Sequence, residues 1–334
     1  LRLLLLGGTR FLGRHLVEAA QARGHEVTLF NRGQTNPDLF PELARLRGDR
    51  LGDLTALKKG AWDAVIDTSG YTPSAVEASA KILSGRADHY TFISTVSAYR
   101  EPLASGLDET APLHAPPEDD SLPVGPETYG PLKAGAEEAL QQAFDGASLI
   151  IRPGLIVGPH DPTDRFTYWP SRLARGGEVL APGSPDRQVQ FIDARDLAAW
   201  CLDLLEAGTG GVFNASGPKR PLTMAQMLQD ILDGVDGDAQ LSWISEDYLL
   251  DAGVQPWTGI PLWLPESLNT IMEISIQAAL DHGLRFRPVK KTAADTLAWD
   301  HSRGSSIVNA GGLNPARELA LLEAWHAQKE AKQP

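Results

Sequence analysis

The 334-residue sequence predicts an α/β protein built on a doubly wound parallel sheet, with a smaller second lobe toward the C-terminus. Two observations carry that expectation. Short apolar runs at 3–6, 27–30, 64–67, 90–94 and 149–152 alternate with segments of helical period, as βαβ units require when helices cover both faces of a sheet. A glycine-rich turn, Gly7-Gly8-Thr9-Arg10-Phe11-Leu12-Gly13, separates the first run from the first helical segment.

The leucine-rich start is too short for a secretion signal or a membrane span and reads as a buried strand. Leu12, Leu16, Val17 and Ala20 recur at helical spacing, and Gly24 stops that helix. A third strand is expected just before Gly48-Asp49-Arg50, and Pro73 opens a helix toward Leu83. Residues 103–127, rich in Pro, Asp and Glu without a period, read as a long surface loop of the kind that serves as a lid. Beyond it, 192–205 reads as a helix entered through Asp193, 212–214 as a short strand, and 223–232 as a helix capped by Thr223. The run 241–244 is strand-like, and 316–331 reads as a closing helix with Leu319, Leu322 and Trp325 toward a core. The stretch 257–265 fits neither period.

An apolar fraction of 42% is enough to fill ordinary cores. The formal charge of −13 weighs against a sequence-independent grip on nucleic acid, because such binding draws on surplus Lys and Arg. A local basic cleft remains compatible with a dinucleotide. Cys201 lies in the apolar run Leu197-Ala198-Ala199-Trp200-Cys201-Leu202, which marks a packed thiol, and a single cysteine permits no internal disulfide. That usage fits a reducing cytoplasm.

The order strand, glycine turn, helix is the context of a dinucleotide-binding loop. Glycine lets the backbone approach a pyrophosphate, and the helix N-terminus offers it unpaired N–H groups. Gly7, Thr9, Arg10, Phe11, Leu12 and Gly13 are the expected contacts. The second strand ends in Asn31-Arg32, where an NAD-binding protein usually carries an acid for the ribose hydroxyls. The missing acid, with Arg32 and Arg10, favours NADP over NAD. Further on, Asp49 and the adjacent backbone at Arg50 are placed to meet the adenine amino group.

Tyr129-Gly130-Pro131-Leu132-Lys133 sets a phenol and an amine four residues apart, hence on one helix face, and Pro131 requires that the helix has just begun. A free tyrosine has a pKa near 10, so acid–base work at neutral pH needs a shift of about 3 units, roughly 4 kcal/mol of phenolate stabilisation. A neighbouring ammonium in a desolvated pocket supplies such a field. The third member is a hydroxyl at the end of the strand 90–94, where Ser94, Thr95 and Ser97 all stand.

On these motifs the sequence resembles, over nearly its whole length, the extended short-chain dehydrogenase/reductase family, in its NAD(P)-dependent epimerase/dehydratase group. The resemblance implies a Rossmann-type domain in which the glycine loop holds the pyrophosphate, Asp49 meets the adenine, and a Ser/Thr, Tyr and Lys set does the chemistry. Aligning Tyr99 with the family's recurrent aromatic puts Thr95 on the catalytic hydroxyl, beside Ser94. Arg152-Pro153-Gly154 and Gly158-Pro159 resemble the stretch after the sixth strand, where backbone near Pro153 and Leu155 meets the nicotinamide, and 190–196 and 213–217 resemble later landmarks. The glycine turn together with Phe30-Asn31-Arg32-Gly33 is most similar to a subgroup of isoflavone-reductase-like bacterial proteins and plastid stem-loop-binding proteins. Two departures stand out: Arg10 replaces the middle glycine, and Val96 follows Thr95 where dehydratases carry Asp-Glu, which disfavours water elimination.

The expected domains are 1–153 with 186–215 for the cofactor, and 154–185 with 216–334 for a substrate-binding lobe, the substrate lying between. The expected activity is NADP- or NAD-dependent oxidoreduction or epimerisation at a hydroxyl or carbonyl of a polar, sugar-like or nucleotide-sugar molecule. Its rival is a non-catalytic NAD(P)-binding sensor or RNA-associated protein of the same fold. Thr95, Ser97, Arg165 and Arg187 are candidate substrate contacts, with Tyr168 beside them. His160, Asp161 and Asp164 lack a metal-ligand spacing and read as a polar loop, and Trp257 and Trp263 as core or interface. The expected partner is a small molecule, not nucleic acid or a membrane, with a homodimer left open.

Overall fold

The computed structural model describes residues 1–304 and 311–331. Its main sheet comprises β1 (Arg2–Leu6), β2 (Glu26–Asn31), β3 (Ala44–Arg47), β4 (Trp62–Asp67), β5 (Ala87–Ile93), β6 (Ala147–Pro153) and a last strand, Gly211–Ala215. Across the sheet these run in the order Gly211–Ala215, β6, β5, β4, β1, β2, β3, with every neighbouring pair parallel. This is the Rossmann-type doubly wound arrangement. Leu3, Leu4, Leu5 and Leu6 have no exposed surface, which explains why β1 reads as a continuous apolar run instead of an alternating one.

Both faces of the sheet are covered. Leu4, Leu6, Val65, Phe92 and Ile150 share one core with Val76 and Ala80 of α2 (Pro73–Leu83) and with Ala136 and Leu140 of α3 (Tyr129–Ala143). Leu3 and Leu5 point the other way by the period of a strand, toward the side of α1 (Leu12–Ala22). There α1 is tied to a helix at Ala194–Glu206 by Arg23, which donates to Ala199 O at 2.9 Å and pairs with Glu206 at 3.0 Å.

Two local expectations need correction. Asp193 ends a short strand, Phe191–Asp193, and the helix begins at Ala194. In the closing helix Pro315–Ala331, Leu319 is 57% exposed while Glu318, Leu321 and Leu322 are buried. The reason is electrostatic: Glu318 pairs with Arg172 at 2.6 Å and accepts Leu180 N at 3.1 Å, so the buried stripe is centred on a carboxylate that hydropathy alone places outside. The stretch 100–128 is a loop, as expected, with no helix or strand beyond a bridge of Tyr99 with Leu113, and it is tied down along its length. His114 N donates to Ala98 O at 2.9 Å, Glu109 accepts Asn214 N at 2.7 Å, Leu107 O accepts Ser275 N at 2.8 Å, and Asp120 accepts Ser74 N at 2.7 Å.

The chain forms two compact units, Leu1–Ile156 with Ala194–Lys219 and Ile274–Arg285, and Val157–Asp193 with Arg220–Glu273 and Phe286–Pro334. Residues 274–285 thus join the sheet unit, where Trp200 donates to His282 O at 2.9 Å and Asn214 to Ser275 O at 3.1 Å. Of the expected second lobe, 305–310 and 332–334 lie outside the described residues. The second unit pairs Glu178–Pro182 in parallel with Gln240–Ile244 and is filled by Phe166, Trp169, Trp263, Met227 and Leu228. Thr223 caps its helix Met224–Gly234 through a reciprocal capping box with Gln226. No helix among the described residues is long and apolar enough to cross a membrane.

Candidate active site

The strand order reverses between β1 and β4, whose connections leave in opposite directions and open a crevice at their carboxyl ends. The glycine loop lies there. Gly7 and Gly8 have φ of 112° and 90°, and a β-carbon on Gly7 would fall 2.5 Å from Thr68 Oγ1. Gly13 allows α1 to pass the backbone of Gly8, which a β-carbon would meet at 3.0 Å. The following β-strand connection clamps the loop: Asn31 Nδ2 donates to Gly7 O at 2.9 Å, Thr9 Oγ1 to Thr35 O at 2.9 Å, and Asn36 Nδ2 to Thr9 O at 2.7 Å. Phe11 enters α1 with φ 40°, and no side chain caps the first N–H groups of α1, of which Gly13 N donates to Arg10 O at 3.0 Å. Leu12 is buried beneath them. A glycine backbone with no room for side chains, ending in an uncapped helix, fits a dinucleotide pyrophosphate.

Asn31 is occupied structurally, since its Oδ1 also accepts Gly33 N at 3.0 Å. Arg10 and Arg32 are exposed. Asp49 accepts Leu51 N at 3.1 Å within its own turn. Arg50, whose backbone the sequence places beside adenine, turns its guanidinium inward to Asp67, Ser69, Ala75 and Ser79, and its buried Nε has no partner among the described residues.

Tyr129 opens α3, with Pro131 in the first turn as its missing N–H demands. Against this turn packs the single 3-10 turn Val96–Ala98, which brings Tyr129 to the segment holding Thr95 and Ser97. Thr95 is buried, and its Oγ1 accepts Ser97 N at 3.1 Å. One helical turn on, Lys133 is 3% exposed; its Nζ donates to Gly70 O at 2.8 Å and Ile93 O at 2.6 Å, and stands 4.1 Å from the Phe92 ring centroid. Burial lowers its pKa to about 7, an effect Asp67 and Glu137 oppose and Arg50 adds to. Tyr71, 48% exposed, completes the cluster, its ring 6.5 Å from that of Tyr129 and its centroid 5.7 Å from Lys133 Nζ. The structure therefore gathers Thr95, Ser97, Tyr129 and Lys133 at the carboxyl end of β5.

Sequence reasoning missed the next residue on that face. Glu137, four beyond Lys133, is 3% exposed, accepts the Ser94 hydroxyl, and pairs with Arg152 at 2.6 Å. Arg152 donates onward to Tyr99 Oη at 3.0 Å, and Tyr99 donates to Asn214 at 2.7 Å. The spacing from Tyr129 through Lys133 to Glu137 was the available signal. Pro153 and Leu155 are buried at the end of β6. Beside them Ser216 Oγ is buried without a partner among the described residues, 2.6 Å from where a β-carbon on Gly154 would be.

The other expected contacts belong to the second unit. Arg165 Nε donates to Thr163 Oγ1 at 3.0 Å, and its guanidinium lies 5.6 Å from the Trp257 ring. Arg187 pairs with Glu246 at 3.0 Å, and its buried Nη1 has no partner among the described residues. Tyr168 and Trp263 are core residues, 3% and 0% exposed. Asp161 accepts Thr163 N at 2.8 Å, Asp164 pairs with Arg303 at 2.9 Å, and His160 packs edge-on to Trp299.

The profile of the NAD dependent epimerase/dehydratase family matches residues 3–216, which include the glycine loop, Tyr129, Lys133 and Arg152. The chain belongs to this family. It is 28% identical over 238 residues to the chloroplast stem-loop binding protein of 41 kDa b of Arabidopsis thaliana, covering 65% of this chain and 59% of that protein's length. To a dTDP-4-dehydro-6-deoxy-D-allose reductase of Streptomyces bikiniensis it is 29% identical over 267 residues, covering 69% of this chain and 80% of that protein. The fold is shared with the human epimerase family protein SDR39U1, solved with NADPH, at a TM-score of 0.59 and 20% identity over 89% of this chain and 99% of that one.

Proposed function

We propose that this family member is an NAD(P)-dependent oxidoreductase or epimerase acting at a hydroxyl or carbonyl of a polar, sugar-like substrate. The observation that carries the reading is the burial of the Lys133 ammonium one turn from Tyr129, at the carboxyl edge of the sheet beside the glycine loop. Tyr129 exchanges the hydroxyl proton, Thr95 hydrogen-bonds the reacting oxygen, and Lys133 holds the nicotinamide ribose while its charge favours the phenolate. Bound in the cradle, the nicotinamide supplies or accepts the hydride. Ser216, directly after the strand Gly211–Ala215 and beside Gly154, would offer a polar group of the bound cofactor a hydrogen-bond partner.

The likeness to a dTDP-sugar reductase supports a nucleotide-sugar substrate. Likeness to the stem-loop binding protein favours a second reading, an RNA-associated protein, which the charge of −13 opposes. The test is NADPH and NADH consumption with dTDP-4-dehydro-6-deoxy sugars. Net cofactor oxidation marks a reductase, stereochemical scrambling without it an epimerase, and cofactor binding without either the non-catalytic alternative.

A further inference from the structure

Asp67 ends β4 with no exposed surface, and the Arg50 guanidinium, 11% exposed, lies 2.6 Å from its Oδ1. Burying such a pair is unfavourable unless the remaining donors and acceptors are satisfied. Here Arg50 also donates to Ser69 Oγ at 3.3 Å, Ala75 O at 3.2 Å and Ser79 Oγ at 3.1 Å, while its buried Nε has no partner among the described residues. Asp67 accepts Ser69 N at 2.9 Å and the Tyr90 hydroxyl at 2.8 Å. Burial pushes the Asp67 carboxyl up, but the Arg50 charge and these hydrogen bonds hold it below the usual carboxylate range. The pair stays ionised.

What it holds is the turn after β4. Asp67 fixes the start of the turn through Ser69 N, and Thr72 closes it as the cap of α2. Gly70, between them, lies so close to its neighbours that a β-carbon would fall 2.6 Å from Val76, 2.8 Å from Phe92 and 2.9 Å from Asp67 Oδ2. The Gly70 carbonyl accepts Lys133 Nζ. Around that ammonium stand the carbonyls of Gly70 and Ile93, the rings of Tyr71 and Phe92, and at longer range the charges of Asp67, Glu137 and Arg50.

We infer that Arg50 and Asp67 are positioning residues for Lys133, fixing the Gly70 carbonyl that orients its ammonium. The Asp67 carboxylate also counters the loss of charge that burial imposes on Lys133. The inference rests on the proposed role of Lys133 at the nicotinamide ribose only for its effect on cofactor affinity.

The experiment titrates NADP and its adenine-side fragment, an adenosine bisphosphate lacking the nicotinamide half, into wild type, Asp67→Asn, Tyr90→Phe and Lys133→Met. Heteronuclear NMR follows the Lys133 Nζ titration in the first three. Asp67→Asn is expected to weaken NADP by about tenfold, to leave the fragment unchanged, and to move the Lys133 midpoint down by about one unit. Tyr90→Phe, which keeps both charges, shifts both readouts in the same sense by less and carries the test if Asp67→Asn does not fold. Equal losses for NADP and the fragment, or an unmoved Lys133 midpoint, would overturn the inference and leave the pair a purely structural one. If Lys133→Met binds NADP like wild type, the reading of Lys133 fails, and the NMR midpoint alone decides for or against the inference.

Discussion

A β-carbon on Gly130 would lie 2.2 Å from the carbonyl oxygen of Ser97, so only glycine lets the first turn of α3 rest on the segment that carries Thr95. The contact is with backbone and cannot be relieved by a rotamer change. Gly130→Ala is expected to push α3 away, lowering stability by about 1–3 kcal/mol and separating Tyr129 from Thr95. Urea unfolding of the variant beside wild type checks the first effect, and turnover at saturating cofactor the second. Wild-type values for both would show that the approach is looser than described.

Glu137 and Arg152 are each about as buried as the sheet core, and each is the other's charge partner. Glu137→Ala leaves a buried guanidinium unpaired and is expected to destabilise by about 3–5 kcal/mol. Replacing both residues by methionine is expected to recover much of that loss, because no uncompensated charge remains. A double-mutant cycle in denaturant measures it; additive losses would mean that the two charges are not coupled.

What was legible in the sequence followed from periodicity and punctuation. Strands such as β1 and β4 are legible because burial on both faces makes them nearly continuous apolar runs, and the bounds of α2 are legible because Pro73 fits a first helical position. The glycine loop and the Tyr129–Lys133 face were likewise visible as spacing. Hidden were the long-range polar contacts: Arg50 reads as a surface cation yet serves Asp67, and Glu318 reads as solvated yet anchors the closing helix through Arg172. Hydropathy assigns charges to the surface and carries no information about partners seventeen or more positions away. The anchoring of 100–128 escaped notice for the same reason.

Lys133 gives stability a particular pH dependence. Burial takes it from an ordinary value near 10.5 down to about 7, so between those values the unfolded chain holds a proton that the folded chain has lost. Stability from this group therefore rises with pH across that window, and below it the penalty for a buried ammonium is present in full. The unfolding free energy of wild type minus that of Lys133→Met should rise steadily with pH through the window. Parallel curves would contradict the burial assigned to this residue.

The end of β2 offers no acid to repel a phosphate on the adenosine ribose, while Arg32 and Arg10 are exposed beside the loop. NADPH is expected to bind more tightly than NADH, and Arg32→Ala to remove most of the difference by the loss of one charge-assisted contact, about 1.5–3 kcal/mol. Calorimetric titration of both cofactors checks this. Equal affinities in wild type, or a preference for NADH, would refute it.

The central claim, that Tyr129 is the acid–base group of a cofactor-dependent reaction, is tested most directly by Tyr129→Phe. The measurement is turnover of a dTDP-4-dehydro-6-deoxy sugar with NADPH, alongside the dissociation constant of NADPH for the same two proteins. The account predicts turnover reduced by about 10²- to 10⁴-fold with cofactor affinity unchanged, because only the phenolic proton is lost. Full turnover by Tyr129→Phe on a substrate that the wild type converts would contradict it.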